Sequence, residues 1–374
     1  MSGSPLKVAV AGSGMIANKA HIPAFKCMGE DRARVAAVFD TREEAARDTA
    51  ERHGIPAWYT DAGEMLAKVK PDLVSVCSPN ASHRAMAEMA LNSGAHVLCE
   101  KPMALTYADT KSLFDLAQSK GLHIAACQAQ RYRGEFAAAR ELADAGVFGD
   151  IYYGEISLIR RRGIPKWGTF HLKESNGGGA FCDLGVHMVD ALLWIMGNPA
   201  FESISGMSAS RLARRDEEIG LVTNLAESGT PSGVENARPY SPAEFEVEEF
   251  AAGSLRVAGA IINFRISWAL NLPPDFHVSF SGERAGARLP EMEIYSTLGR
   301  YQSDVRPKIY RNGRYEEREF SGHYYLVDDF LNFLSGNGPM PVKPEETLNV
   351  AAVIDAFYIS ARECREVRAA EIRG

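Results

Sequence analysis

Short apolar runs alternate with helical patterns through the first 128 residues, and this alternation limits the possible folds more than any other feature. The runs are Leu6–Ala11, Arg34–Asp40, Asp72–Cys77, His96–Cys99 and His123–Cys127. They are nearly continuously apolar, which is typical of parallel strands covered by helices on both faces. The repeated unit predicts an α/β fold that begins with a doubly wound parallel sheet of the Rossmann type.

The pattern changes after about residue 130. A long strand, Ile151–Arg162, and a strongly apolar helix, Leu184–Met196, precede a series of short strands and turns over residues 246–320, with a hairpin expected at Asn312-Gly313. This pattern predicts an α/β domain with a large, open, mostly antiparallel sheet, interrupted by a polar loop at 210–245. The expected domains are 1–129, 130–340 and a C-terminal helical segment, 341–374.

Charge and cysteine usage restrict the class of protein. The chain has 374 residues and a net charge of −7, so a broad nucleic-acid-binding face is not expected. We find no signal-peptide pattern and no run approaching the ~20 apolar residues that cross a bilayer. The six cysteines are scattered without a Cys-x-x-Cys pair, which indicates a reducing compartment. We therefore expect a cytoplasmic protein without nucleic-acid or membrane partners.

A glycine-rich turn follows the first apolar run and opens a helical stretch. It reads Gly12-Ser13-Gly14-Met15-Ile16-Ala17. In this context the first glycine permits a tight turn, the second lets the backbone approach a pyrophosphate, and Ala17 takes the small-residue position where the helix meets the strand. The turn therefore predicts a dinucleotide site.

The acidic residue at the end of the second run indicates which dinucleotide binds. Asp40 lies 23 residues after Ala17, where a carboxylate accepts hydrogen bonds from ribose hydroxyls and repels a 2′-phosphate. This favours NAD. Arg42 could instead cover a phosphate, which leaves NADP open.

Other polar residues follow the later runs, at the carboxyl edge of the predicted sheet. Residues at this edge contact ligands in doubly wound folds. The further cofactor-binding candidates are Ser78, Pro79, Asn80, His83, Glu100, Lys101 and Gln128. A helix cap at Ser78–Asn80 and a solvent-facing His83 are the simpler alternatives.

Lys101 stands between Glu100 and Pro102 directly after an apolar run. An ammonium at this edge can donate to an alcohol oxygen and stabilise charge that develops there. A lone lysine at a strand end is more often a surface residue, so the assignment depends on the other motifs.

Asp183 and His187 follow Gly177-Gly178-Gly179, and Asp190 lies three residues further on. On a helix this spacing places the three side chains along one stripe. Asp183 could orient a hydroxyl, and His187 could accept a proton near neutral pH. A zinc site or a purely structural pair are the alternatives; with no third ligand nearby, we expect no metal.

Basic and aromatic residues near the long strand are candidates for substrate contacts. Alternation places Arg160 and Arg162 on one face of the strand. Together with Lys101, Asp183 and His187, the expected substrate-binding residues are Arg131, Tyr132, Arg160, Arg162, Lys166 and Trp167. The arginines predict an anionic or strongly polar substituent on the substrate, although a solvated edge explains them equally well.

Taken together, these motifs resemble the glucose–fructose oxidoreductase / inositol dehydrogenase (Gfo/Idh/MocA) family across nearly the whole chain. The resemblance implies a Rossmann domain, an open-sheet C-terminal domain, NAD(P), and hydride transfer at a sugar or cyclitol carbon. It assigns the catalytic positions to Lys101, Asp183 and His187. It also implies a homodimer or homotetramer formed through the C-terminal sheet.

Three functions fit this resemblance. The first is an NAD-dependent oxidoreductase acting on a secondary alcohol of a small carbohydrate. The second is a glycoside hydrolase that oxidises its substrate transiently with bound NAD before elimination. The third is a non-catalytic NAD-linked sensor, which Lys101 and His187 argue against.

Overall fold

The computed structural model of the chain describes residues 4–165, 168–215, 241–309 and 314–374. Two compact units are present. Unit 1 contains residues 1–129 and 315–344, and unit 2 contains most of 130–314 and residues 345–374. The sequence-based division also placed a boundary after residue 129, but it assigned 315–340 to the second domain.

Unit 1 is built on a six-stranded parallel sheet in the order β3-β2-β1-β4-β5-β6. The strands are β1 Leu6–Ala11, β2 Ala33–Phe39, β3 Trp58–Tyr59, β4 Leu73–Val76, β5 His96–Cys99 and β6 Ile124–Ala126. This is the strand order of a dinucleotide-binding fold, with the switch point between β1 and β4. The doubly wound sheet predicted from the apolar runs is confirmed.

The helices of unit 1 connect consecutive strands. They are α1 Ile22–Cys27, α2 Glu43–His53, α3 Ala62–Val69, α4 Asn80–Asn92 and α5 Tyr107–Ser119. A later helix, α9 Ser321–Leu334, belongs to the same unit, where Arg32 Nη1 lies 2.6 Å from Asp328 Oδ1. A Cβ on Gly322 would lie 2.3 Å from the carbonyl oxygen of Ala129, so the first turn of α9 packs closely on the backbone that follows β6.

Unit 2 contains a nine-stranded sheet in the order β14-β13-β12-β11-β7-β10-β9-β8-β15. The strands are β7 Ile151–Ile159, β8 Phe201–Ala209, β9 Phe250–Val257, β10 Ala260–Ser267, β11 Asp275–Gly282, β12 Ala285–Leu289, β13 Glu293–Leu298, β14 Tyr301–Val305 and β15 Val367–Arg368. Only the β7–β10 pair among these described strands is parallel. The mostly antiparallel open sheet expected from the sequence is therefore confirmed.

The helices of unit 2 include one strongly apolar element. They are α6 Gly134–Asp144, α7 Lys173–Asn176, α8 Val186–Ile195, α10 Pro344–Glu363 and α11 Ala369–Arg373. The stretch Lys173–Ile195, which ends with α8, is long and apolar enough to cross a membrane by length and composition alone. Because most of it is buried inside the protein, it has the pattern of a core helix.

Several local predictions need correction or lie outside the described residues. The strand predicted to run to Arg162 ends at Ile159; beyond it the Arg160 N–H still donates to the Ser267 carbonyl at 3.1 Å, and Arg162 forms an isolated bridge to Ala269. The Asn312-Gly313 hairpin and most of the 210–245 loop fall outside the described residues, and short helical turns stand at Ala213–Arg215 and Pro242–Glu244.

Candidate functional site

The glycine-rich turn after β1 has the conformation that a dinucleotide site requires. Gly12 has a φ of +107°, and a Cβ there would lie 2.6 Å from the carbonyl oxygen of Cys77, so no larger residue fits. A Cβ on Gly14, in contrast, would meet no described atom within 4 Å. Gly12 thus packs against the neighbouring chain, whereas Gly14 borders open space that a pyrophosphate can approach.

Asp40, at the end of β2, is joined to this turn. Its Oδ2 accepts the Ser13 backbone N–H at 2.9 Å and its Oδ1 accepts the Arg42 N–H at 3.0 Å. Arg42 Nε lies 3.3 Å from the same Oδ1. The buried Ser13 hydroxyl finds no hydrogen-bond partner among the residues that the structure describes. A polar ligand can supply that partner, so these residues fit a bound dinucleotide.

His83 connects two turns at the carboxyl edge of the unit 1 sheet. This histidine is buried, and its ring nitrogens lie 2.7 Å from the carbonyl oxygens of Ser78 and Pro102. Burial lowers the pKa of His83. The alternative of a solvent-facing His83 is therefore wrong: the ring connects the turn after β4, Ser78-Pro79-Asn80, to the turn that carries Lys101.

Lys101 is the second residue after β5, and the next residue, Pro102, is joined to it by a cis peptide bond. Lys101 is half-buried. Glu100 turns into the unit, where its Oε1 lies 2.7 Å from His21 Nε2 and 3.3 Å from His323 Nε2. Gln128, beyond β6, is buried, and its Oε1 has no hydrogen-bond partner in the described part of the chain.

In unit 2, Asp183 and His187 are more exposed to solvent than their neighbours along the chain. Between residues 180 and 193, a stretch that the structure describes throughout, these two side chains are half-buried and every other one is buried. Asp183 Oδ2 accepts a hydrogen bond from Trp268 Nε1 at 3.0 Å. The core helix therefore presents a carboxylate and an imidazole at an accessible surface.

Asp190 does not share this surface, and the predicted single stripe is wrong. Its carboxylate accepts two hydrogen bonds from Arg131, from Nε at 2.7 Å and from Nη2 at 2.6 Å. Arg131 Nη1 also bonds Glu346 at 2.5 Å, and its side chain is only 3% exposed. This buried ion triad raises the pKa of Arg131 and favours a structural role over the predicted substrate contact.

The stripe fails at Asp190 because this carboxylate pairs with Arg131 in the core, although His187 and Asp190 lie in the same helix, α8. A π-helical turn, Phe181–Gly185, precedes α8. The wider turn rotates Asp183 relative to the α-helical residues that follow, as π-bulges at functional sites do.

The triple glycine allows close packing before this turn. A Cβ on Gly178 would lie 1.9 Å from the Tyr358 hydroxyl, and one on Gly179 would lie 1.9 Å from the Glu248 carbonyl oxygen. The Glu248 carboxylate accepts the N–H groups of Gly179 at 2.9 Å and Phe181 at 3.0 Å. The start of the Asp183 turn is thus fixed by buried hydrogen bonds.

Arg160 and Arg162, which follow β7, have different surroundings. Arg160 is half-buried and lies near Asp183: burial lowers its pKa, and the negative charge of Asp183 opposes that shift. Arg162 donates to the Arg161 carbonyl and to Asn271 Oδ1 at 2.7 Å. Tyr132 is half-buried, and Lys166 and Trp167 lie outside the described residues.

Sequence reasoning missed four residues that support these positions: Trp268, Glu248, His21 and His323. Trp268 lies 85 positions from Asp183, and His21 lies 79 positions from Glu100. No local pattern marks such pairs. Their positions depend on how distant segments pack, which spacing along the chain does not reveal.

Comparison with protein families gives two matches. Residues 6–126 match the oxidoreductase family with an NAD-binding Rossmann fold named for GFO, IDH and MocA, and residues 136–301 match the GFO/IDH/MocA C-terminal domain.

Individual proteins are similar over almost their full length. D-glucoside 3-dehydrogenase of Escherichia coli K12 is 33% identical over 365 residues, covering 96% of this chain and 97% of that protein. The solved structure of GenD2 from gentamicin A biosynthesis in complex with NAD has a TM-score of 0.75 at 25% identity and covers 98% of this chain and 97% of its own. Levoglucosan dehydrogenase, in complex with NADH and levoglucosan, has a TM-score of 0.80 at 18% identity, covering 98% and 100%.

Proposed function

The chain belongs to the Gfo/Idh/MocA family of NAD-binding oxidoreductases, and from this premise we propose the residues, substrate and chemistry of its reaction. The protein is an NAD-dependent oxidoreductase. The proposed substrate is a sugar or sugar derivative that is oxidised at a secondary alcohol. One observation carries the proposal: Asp183 and His187 are the two accessible side chains of an otherwise buried helical stretch.

The cofactor is held by the carboxyl edge of the unit 1 sheet. In this proposal Asp40 accepts hydrogen bonds from the adenosine ribose, and the backbone of Gly12–Ile16 cradles the pyrophosphate. The free side of Gly14 and the unsatisfied Ser13 hydroxyl support this placement. When bound, NAD supplies a nicotinamide ring that accepts a hydride.

The proton chemistry is assigned to three side chains. His187 takes the proton of the substrate hydroxyl, Lys101 stabilises the oxygen, and Asp183 orients the substrate or the imidazole. Support comes from the rigid setting of each group. The Asp183 carboxylate is held by Trp268 Nε1, and the turn of Lys101 is anchored through Pro102 to His83.

The proposed substrate class is based on one relative that is similar over almost the full length of the chain. Because D-glucoside 3-dehydrogenase covers 96% of the chain at 33% identity, a D-glucoside oxidised at C3 is the proposed substrate. The product would be the corresponding 3-keto glucoside.

Arg160 is the proposed contact for a polar or anionic substituent. Its guanidinium interacts with Asp183, whereas the Arg162 guanidinium donates hydrogen bonds to the Arg161 carbonyl and to Asn271. Arg160→Gln should change the kinetic preference between anionic and neutral glycosides at least fivefold, and Arg162→Gln serves as the matched control. Equal preferences in wild type and Arg160→Gln would remove this contact from the proposal.

The main experiment follows NADH at 340 nm with a panel of glycosides, together with analysis of the sugar products. Stoichiometric NADH and an uncleaved keto glycoside are expected. Glycoside cleavage without net NADH would instead identify a redox-assisted hydrolase, and no turnover with normal NAD binding would favour a sensor.

Variants test the residue roles in the same assay. Lys101→Ala should lower kcat by at least about 100-fold, in the range typical of a lost general acid–base group, while NAD still binds. Lys68→Ala, an exposed lysine in α3 of the same unit, is the control. Near-normal turnover of Lys101→Ala would exclude the mechanism.

A cytoplasmic homo-oligomer is the proposed physiological form. Support comes from free cysteines among the described residues and from large apolar side chains exposed on the unit 2 sheet. The exposed residues are Tyr152, Met207, Tyr295, Leu298, Tyr301 and Val305. Light scattering should report a dimer or tetramer, and Tyr301→Glu should shift it towards monomer if this surface forms the interface.

A further inference from the structure

Unit 1 contains a buried cluster that the reaction does not use, formed by His21, Glu100, Cys127 and His323. Their nitrogen, oxygen and sulfur atoms all lie within 4.8 Å of one another, and all four residues are buried. We call this cluster the carboxylate cage, because Glu100 stands at its centre. The members come from the helical turn after β1, the ends of β5 and β6, and α9.

The geometry of the carboxylate cage sets its protonation state. An ionised carboxylate only accepts hydrogen bonds, so His21 Nε2, at 2.7 Å from Glu100 Oε1, carries a proton. The other nitrogen of His21, Nδ1, lies 2.8 Å from the Ser75 hydroxyl, which donates to it when the imidazole is neutral. This arrangement describes a neutral imidazole that donates to an anionic carboxylate.

The carboxylate receives further donors. His323 Nε2 lies 3.3 Å from Glu100 Oε1, and the Lys101 backbone N–H donates to Oε2 at 3.2 Å. Burial on its own favours the protonated acid, but the bonds from His21 and His323 hold the pKa of Glu100 well below its usual range. Burial lowers the pKa of His21 and raises that of the Cys127 thiol. Glu100 therefore carries the negative charge of the carboxylate cage, and its Oε1 lies against both His21 and His323.

A shared metal ion fits this arrangement less well than protons do. Two ligands of a tetrahedral zinc, each about 2.0–2.1 Å from the metal, lie roughly 3.4 Å apart. His21 Nε2 and Glu100 Oε1 are separated by 2.7 Å, which is the length of a charge-assisted hydrogen bond.

The position of Glu100 in the sheet places its charge on the side where the nicotinamide half of the cofactor is expected. Dinucleotides lie across the switch point of a doubly wound sheet, one half on each side. Asp40, at the end of β2, marks the adenosine half, so the nicotinamide half lies on the β4–β5–β6 side. Glu100 is the first residue after β5 and directly precedes Lys101.

We propose that the carboxylate cage holds a fixed negative charge beside the nicotinamide end of the cofactor site and thereby makes the site prefer NAD+ over NADH. The inference rests on the proposed cofactor placement. The nicotinamide ring is cationic in NAD+ and neutral in NADH, so only the oxidised form gains from the attraction. Lys101 acts in the opposite sense, but its half-buried ammonium is screened by water more than the buried carboxylate is.

The test compares dissociation constants for NAD+ and NADH in wild type and Glu100→Gln, by calorimetry at pH 8, where an unperturbed imidazole is neutral. The ratio Kd(NADH)/Kd(NAD+) should fall about tenfold in Glu100→Gln, since two unit charges within about 10 Å attract with at least that energy at an effective permittivity of ~20. An unchanged ratio would overturn the proposal. Asp72→Asn, which removes a carboxylate at the opposite edge of the same sheet, is the matched control and should leave the ratio unchanged.

A second measurement needs no substitution in the core, in case Glu100→Gln does not fold. Benzamide adenine dinucleotide has a neutral ring in place of the pyridinium. Wild type should bind NAD+ at least about tenfold more tightly than this analogue; equal affinities would contradict the proposal.

Two further outcomes are distinguishable. A stoichiometric metal ion in the purified protein, lost in Cys127→Ser, would replace the fixed anion with a metal site and overturn the proposal. Absence of binding by either cofactor form in the wild type would instead refute the proposed function itself.

Discussion

The hydrogen bond between Trp268 and Asp183 offers a sharp test of how the catalytic carboxylate is held. Trp268 is fully buried in unit 2, and its Nε1 donates to Asp183 Oδ2 at 3.0 Å. Trp268→Phe keeps an aromatic ring at this position and removes the donor. Asp183 would then lose one of the contacts that hold it in the orientation that the proposed reaction requires.

The expected loss of activity in Trp268→Phe depends on how much of the lost hydrogen bond water can replace at Asp183. A hydrogen bond to a charged group contributes about 1.5–3 kcal/mol, and the half-buried Asp183 can recover part of this from water. The lower end, about 1.5 kcal/mol, corresponds to roughly a tenfold loss in kcat/KM. The smaller ring should also lower the free energy of unfolding by roughly 1–3 kcal/mol, because it leaves space in a packed core.

The assay measures kcat and KM with the best glycoside at saturating NAD, alongside urea denaturation. Trp194→Phe is the control, since its indole lies beside Arg131 and Arg140 in the same unit. The control should retain kcat/KM within twofold. If Trp268→Phe also did so while Asp183→Asn lost activity, the argument that Trp268 positions Asp183 would be refuted.

Three further predictions concern the cofactor turn, the ion triad and pH. Gly14→Ala should leave the melting temperature unchanged, because an added Cβ meets no described atom within 4 Å, yet should raise the Kd for NAD at least about tenfold, as calorimetry can show. Arg131→Met should lower the free energy of unfolding by about 3–5 kcal/mol in urea titrations, because it leaves two carboxylates facing each other in a buried site. Burial lowers the pKa of His21 and His83, so below about pH 6.5 the unfolded chain binds more protons than the folded protein. The free energy of unfolding should therefore decrease as the pH falls, by up to ~1.4 kcal/mol per pH unit for each histidine. A free energy of unfolding that stays constant between pH 7 and 5, or that depends on pH equally in His83→Asn and wild type, would contradict this.

The features predictable from sequence were those encoded locally. Continuous apolar runs identified five strands of the parallel sheet, since buried parallel strands need no alternation. The sixth, β3, has only two residues, Trp58–Tyr59, and gives no periodic signal. The glycine turn and Asp40 were readable for the same local reason, because each role depends on a position next to a strand end.

What the sequence could not reveal depends on tertiary packing. Helical spacing placed Asp190 beside His187, and both lie in α8, but Asp190 pairs with the distant Arg131 in the core. The sequence marked both Arg160 and Arg131 as substrate contacts, but their surroundings differ. Arg160 lies near Asp183, whereas Arg131 is buried between the carboxylates of Asp190 and Glu346.

The central claim is that a glycoside alcohol delivers its hydride to NAD. The most direct measurement uses a D-glucoside deuterated at C3 with stoichiometric NAD, followed by mass spectrometry of the cofactor and the sugar. One deuterium in each reduced nicotinamide and an intact 3-keto glycoside are predicted. Unlabelled cofactor, or a cleaved glycoside with NAD regenerated, would contradict the account.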